Sequence, residues 1–284
     1  MYMPGDDIKK ITKASMLELD TAMLDCEDAV AVNRKEVARE VICEGLNMLD
    51  FGRTERGVRV NSVSSGLCGD DIKAVLSNTV QPDIIMVPKL DSLSEVTMLN
   101  KAIAASTSTP FPIIFQTESA IGLINLNNII LALLASSHVI PVGIVFGADD
   151  YVSDVRAGRN IDAVMYARQC VVAHARAYNL QPIDRVHIEF NDLAALESEC
   201  ASGFSWGFSG KQCIHPAQIP VVQRAFSPTD QQLAYSRELI AAFRQNQSQG
   251  IGSFNFHGKM IDRPTLLQAE NIVNMFDDST QTTT

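Results

Sequence analysis

Two carboxylates stand just past neighbouring apolar runs: Glu118 after PIIFQT, and Asp150 in VGIVFGADD. Acids brought together at the ends of adjacent strands repel unless something positive lies between them. A hard divalent cation such as Mg²⁺ suits that pair, because it takes one or two carboxylates, keeps water, and leaves room for substrate oxygens. Each acid taken alone also reads as a helix cap. A second group of acids, Asp25, Glu27 and Asp28 in LDCED, follows another apolar run. Burying them needs a cation or hydrogen-bond donors, so they read either as helix caps or as support for a metal or a basic residue. Arg59, in GVRVN, is flanked by valines. Its planar fork matches a carboxylate, either a ligand's or that of Glu27 or Asp28, and both can hold together. Lys89 is a charged residue leaving the apolar run DIIMVP.

Lys9 and Lys13, four apart after Pro4-Gly5-Asp6-Asp7, share one face of a helix that Asp6 or Asp7 caps. That face reads as a solvated surface or as a place for an anion. His187 and Glu189 share one face of the run RVHIEF, which reads mainly as structure. His215 precedes Pro216 and is held out of helix; it serves structure or the site's mouth. Asp262 precedes Arg263-Pro264 and on its own reads as an N-cap.

What must position these residues is a repeat. Eight short apolar runs (YMP, AMLD, GVRVN, DIIMVPK, PIIFQTE, VGIVFGADD, RVHIEF and GFSGKQCIH) alternate with segments of helical periodicity such as KEVAREVICEGLNML. Eight strand–helix units in about 220 residues predict an α/β fold, a TIM (β/α)₈ barrel whose active site lies at the C-terminal ends of its strands. The barrel is expected over residues 1–225, with its first strand cut short because the chain starts inside YMP. A helical extension or lid is expected over 226–284, with GIGSFNFHGKMID as a flexible stretch and DDSTQTTT as a disordered tail.

A chain of 284 residues, 46% hydrophobic, has enough apolar content for a full core. Its six cysteines show no close metal spacing and read as reduced thiols. The formal charge of −10 argues against a nucleic-acid partner, and no apolar run is long enough to span a membrane. A polyanionic small ligand remains compatible, provided a local basic cluster such as Lys9, Lys10 and Lys13 meets it.

YMPGDD, LDCEDAVA, VRVNS, MVPK, ESAIGL, GADD and GFSGKQCIHPAQI, in this order and spacing, resemble the HpcH/HpaI–CitE family of lyases. The resemblance runs from Tyr2 to about residue 275, through the GKMID segment. It implies a TIM barrel with a C-terminal extension, commonly assembled as a homotrimer. It implies Mg²⁺ held by Glu118 and Asp150, with Glu27 and Asp28 behind them, and Arg59 on a keto-acid carboxylate. It also implies that Tyr2, Lys9, Lys13, Ile214 and His215 contact the acyl-CoA substrate. Asp262 becomes the catalytic acid–base residue, lent to a neighbouring subunit. The implied activity is carbon–carbon lysis of citramalyl-CoA to pyruvate and acetyl-CoA, with synthase-like and malyl-CoA thioesterase side activities, in mitochondria. Citrate lyase beta-subunit chemistry, or acyl-CoA binding without turnover, are the competing readings. Asp91 and Asp149 depart from the pattern, standing where relatives often carry glutamate, and no mitochondrial presequence stands in this chain.

Overall fold

Strand pairing in a computed structural model of the protein, which describes residues 1–158 and 160–281, follows chain order. The strands are β1 (Tyr2–Pro4), β2 (Thr21–Asp25), β3 (Glu55–Arg59), β4 (Ile84–Val87), β5 (Phe111–Thr117), β6 (Val139–Phe146), β7 (Gln181–Asp184) and β8 (Gly210–Lys211). Every neighbouring pair is parallel. The Tyr2 backbone N–H donates to the Cys213 carbonyl at 2.9 Å, joining the first strand to the segment beyond the last. This is the α/β, TIM-like barrel expected from the alternation of strands and helices.

The helices between the strands are α1 (Ile8–Ser15), α2 (Lys35–Met48), α3 (Cys68–Leu76), α4 (Leu93–Ser106), α5 (Ala120–Leu134), α6 (Ala148–Asp154), α7 (Ile161–Ala177) and α8 (Leu193–Ser205). Side-chain caps begin several of them: Asp7 for α1, Ser92 for α4, Ser119 for α5, Asn160 for α7 and Asp192 for α8. Each cap satisfies an N–H that has no partner inside its helix. Inside the ring, Met23, Met86 and Val145 pack as one layer with Tyr2, Ile114 and Ile183. Gly57 makes room for Met23, whose Cε would lie 2.7 Å from an added Cβ. The barrel interior is therefore filled by side chains, and its functional surface lies above them.

The run RVHIEF was expected as strand seven, but β7 ends before it, at Asp184. The Asp184 carboxylate takes both arms of the Arg168 fork, at 2.9 and 2.6 Å. Beyond it, Arg185 and His187 turn to Glu199 on α8, and the His187 carbonyl accepts from Gln218 Nε2. Side chains hold this segment in place of a strand ladder, and Glu189 is exposed. Strand eight is likewise shorter than GFSGKQCIH: past Lys211, Gln212 Nε2 donates to the carbonyls of Phe146 and Asp184.

The chain divides into two compact units, Met1–Val222 and the residues from Gln223 onward. The division falls within α9 (Ile219–Phe226). The second unit contains α10 (Asp230–Ser248), capped by Thr229 with a reciprocal Gln232 bond, and α11 (Arg263–Gln281). The stretch expected to be flexible forms a hairpin instead, β9 (Phe254–Phe256) against β10 (Lys259–Ile261). Its turn is His257-Gly258, both at positive φ (50° and 81°), the backbone a two-residue hairpin turn requires. Ile261 joins Leu239, Phe243, Leu266 and Ala269 in a core that Phe254 and Phe256 also pack against. Residues 277–281 of the tail expected as disordered continue α11; residues 282–284 lie outside the described residues. No helix among the described residues is long and apolar enough to cross a membrane.

Candidate active site at the barrel mouth

Parallel pairing sets Asp25, the last residue of β2, in register with Arg59, the last residue of β3. Their side chains therefore leave the sheet side by side. The Asp25 carboxylate takes Arg59 Nε at 2.7 Å and Nη2 at 2.5 Å. It also accepts the backbone N–H groups of Glu27 and Ala29. Arg59 Nη1 reaches Glu27 at 2.9 Å and Asp28 at 3.6 Å. The guanidinium lies 5.0 Å from the centre of the Tyr2 ring, a cation–π contact. Burial works against the arginine's charge, but Asp25 and Glu27 more than offset it and raise its proton affinity above the ordinary value. Burial raises the Tyr2 hydroxyl, which donates to Met86 Sδ at 3.1 Å.

Glu118 sits between the end of β5 and Ser119, which caps α5. It is 3% exposed. Its Oε1 accepts the Lys89 backbone N–H at 2.8 Å, and its Oε2 accepts from Gln116 Nε2. Burial first, and the Asp150 carboxylate second, push the Glu118 carboxyl up to about 9. Asp150 stands in the first turn of α6, after the adjacent strand β6. Gly147 lets the two segments meet, since a Cβ there would lie 2.4 Å from Glu118 Oε2 and Gln116 Nε2. Lys89 Nζ bonds Glu27 at 2.5 Å and lies 3.6 Å from Asp28 and 3.8 Å from Asp150. Burial raises Glu27 despite Arg59 beside it, while hydrogen bonding to Glu27 and the nearby Arg59 and Lys89 hold Asp28 low against its own burial.

Of these groups, Tyr2, Asp25, Asp28, Arg59, Gln116, Glu118, Gly147 and Asp150 line an open cleft of ≈ 390 Å³ together with Ala29, Ala148, Asp149, Val186, Gln212 and Ile214. The donor set fits a hard divalent cation. Asp150 presses on Glu118, and the Lys89 ammonium, 3.8 Å from Asp150, offsets only part of the upward shift of Glu118. Beside them Gln116 Oε1 is buried without a hydrogen-bond partner. Among the described residues no group of three or more His, Cys, Asp or Glu forms a metal cage. A carboxylate pair with oxygen neighbours is what Mg²⁺ commonly takes.

Of the residues expected at the site, Tyr2, Arg59, Glu118, Asp150, Asp28 and Ile214 line this cleft, and Glu27 stands behind it. Lys9 and Lys13 do not line it. They are exposed on α1 and have no ion-pair partner among the described residues. His215 is not a lining residue either: its ring stacks on Phe190 at 4.7 Å, and its Nδ1 accepts from Ala217 N. That is the structural alternative for this histidine. Asp262 belongs to the second unit, where its Oδ1 caps α11 by accepting Thr265 N at 3.2 Å and Thr265 Oγ1 at 2.8 Å. Those bonds hold its carboxyl below the usual range. The sequence grouped Asp25 with the neighbouring acids without naming its partner, did not single out Gln116, and left Lys89 without a role. The register of β2 on β3 was the signal for Asp25.

The family model described as HpcH/HpaI aldolase/citrate lyase matches residues 1–216, which include every residue lining the cleft. The chain belongs to this family. It is 40% identical over 285 aligned residues to the mitochondrial citramalyl-CoA lyase of Homo sapiens, covering 97% of this chain and 84% of that protein. It is 29% identical to the citrate lyase subunit beta of Leuconostoc mesenteroides subsp. cremoris, covering 97% and 91%. The solved structure of CitE from Mycobacterium tuberculosis, in complex with magnesium, acetoacetate and coenzyme A, superposes with a TM-score of 0.78. Its sequence identity is 27%, over 96% of each chain. Asp262 lies beyond the last residue of the HpcH/HpaI match.

Proposed function

We propose that this protein is a Mg²⁺-dependent citramalyl-CoA lyase that cleaves its substrate to pyruvate and acetyl-CoA. The observation that carries the reading is the placement in one cleft of the Arg59 fork and of the Glu118–Asp150 pair, the pair at adjacent strand ends. The 40% identity to the human lyase supports the choice of substrate, and the magnesium and coenzyme A complex of the related structure supports cofactor and ligand class. By the same relation we place the protein in mitochondria. Assembly as a homotrimer is also part of the proposal; Ile121, Ile124, Leu131 and Leu134 on α5 leave apolar surface that a second copy would cover.

Glu118 and Asp150 would hold the cation, which when bound supplies Lewis-acid polarisation of the substrate's hydroxyl and carboxylate oxygens. Arg59, pinned from behind by Asp25, presents its remaining hydrogen-bonding face to the keto-acid carboxylate and fixes its orientation. Cleavage turns the tertiary hydroxyl carbon into a keto group as the hydroxyl proton leaves to solvent. The electron pair of the broken carbon–carbon bond passes to the thioester's α-carbon, which then takes a proton. Asp262 is proposed as the acid–base residue for that carbon, lent to a neighbouring subunit. Held low by Thr265, it starts ionised. That form removes the acetyl methyl proton in the condensing direction, and it must gain a proton before serving the cleaving one. Lys9 and Lys13 offer free ammonium groups for the coenzyme's phosphates.

The test is pyruvate release from citramalyl-CoA by the purified protein, with Mg²⁺ and then with EDTA, alongside Asp262→Asn. Metal-dependent release that the variant loses is the expected result. Retained coenzyme A binding with no release would overturn lyase activity in favour of a binding protein. Oxaloacetate release from a citryl substrate, with no pyruvate from citramalyl-CoA, would favour the citrate lyase beta-subunit reading.

A further inference from the structure

Four non-glycine residues have positive φ among the described residues: Lys89, Arg156, Asn179 and His257. Three are explained by their elements. Arg156 and Asn179 follow the last turns of α6 and α7, and His257 makes the hairpin turn. Lys89 (φ 51°) follows Pro88 in the loop between β4 and α4, where no helix ends and no hairpin turns. A left-handed lysine in such a loop persists only if the surroundings favour what it aims, and such residues gather at functional sites. Here its N–H donates to Glu118 Oε1 at 2.8 Å. Gln116 holds the other oxygen, so the carboxylate is fixed at both ends.

The side chain does something different. Its ammonium bonds Glu27 at 2.5 Å and lies 3.8 Å from Asp150. A positive charge at that distance from a cation's ligand opposes cation binding, so the charge is not what the metal pair needs.

We propose that Lys89 is a positioning residue for the metal pair, acting on Glu118 through its left-handed backbone amide and not through its ammonium. This rests on the reading of Glu118 and Asp150 as the Mg²⁺ pair. Backbone and charge separate by substitution. Glycine keeps the left-handed backbone and removes the ammonium, and methionine keeps chain length without charge. Valine, branched at Cβ, strongly disfavours positive φ.

The experiment is calorimetric titration of the full-length protein with Mg²⁺, with thermal melting of each variant. Lys89→Gly and Lys89→Met are expected to bind within about threefold of the parent, or tighter, and Lys89→Val to bind at least about tenfold more weakly. Parent-like affinity in Lys89→Val overturns the proposal, as does a loss in Lys89→Gly equal to that in Lys89→Val. If Lys89→Val does not fold, the other two decide: retention in both supports the amide, and a loss beyond about tenfold in either overturns it. A parent that binds no Mg²⁺ overturns the metal reading itself, an outcome distinct from all of these.

Discussion

Two regions of the barrel are crowded with charge, and they behave in opposite ways. At the mouth, Asp25, Glu27, Asp28, Glu118 and Asp150 outnumber Arg59 and Lys89. Around β7, β8 and α8, Arg168, Arg185 and Lys211 outnumber Asp184 and Glu199, with His187 beside Glu199. Arg168 and Asp184 are fully buried, and Arg168 lies 4.5 Å from the centre of the Trp206 ring. In this second cluster the surplus is basic. Burial opposes ionisation of Glu199, yet Lys211 and Arg185 more than offset it and hold its carboxyl low. At the mouth the surplus is acidic, and Glu118 is driven up to about 9. Charge density therefore does not distinguish a site from a structural network. The sign of the surplus and its access to solvent do, because only the acidic, open cluster gains by taking up a cation.

The largest test of that contrast is Glu118→Gln. It is expected to abolish most Mg²⁺ affinity and lower turnover about 10³-fold, roughly 4 kcal/mol of transition-state stabilisation. The metal-free protein also carries a pH signature. With its folded value raised from 4.5 to about 9, Glu118 contributes stability that is fully present below about pH 4.5 and lost as pH rises through about 9. Mg²⁺ should flatten that decline, and Glu118→Gln should remove this part of it, both read from denaturant midpoints across pH. A slope unchanged in the variant would mean that the acidic surplus is already balanced.

Asp184→Asn probes the other region. Leaving Arg168 buried without its charged partner should cost about 3–5 kcal/mol of stability and lower the melting temperature by on the order of 10 °C. Turnover of the folded fraction and Mg²⁺ affinity should stay at parent values. A selective loss of Mg²⁺ binding would erase the distinction between the regions. The smallest effect is expected from Lys9→Ala and Lys13→Ala, outside both clusters. Each should raise KM for the acyl-CoA about threefold at low salt, with the difference shrinking as salt is added. A salt-independent change would place these lysines in direct, desolvated contact instead.

The alternation of apolar runs and helical segments was enough for a barrel, because a parallel strand buried on both faces reads as a continuous apolar stretch. It also placed Glu118 and Asp150 at neighbouring strand ends. It failed where hydrophobicity did not decide the backbone. RVHIEF is apolar enough for a strand, yet Glu199 and Gln218 draw it off the ladder. GIGSFNFHGKMID contains glycines typical of loops, yet His257-Gly258 turns it into a hairpin with a core of its own. The family resemblance gave Asp262 a role, while the geometry seen around it is that of the cap its own sequence predicts.

By itself the sequence determined the fold class, the family and the strand ends from which function had to come, since periodicity and motif order are properties of the chain. Only the tertiary structure decided how those ends cooperate. Asp25 meets Arg59 because two strands pair in register. Glu118 is held by Lys89 because one residue in a loop turns left-handed. Register and backbone dihedral couple residues distant along the chain, and no local pattern of residue types records either.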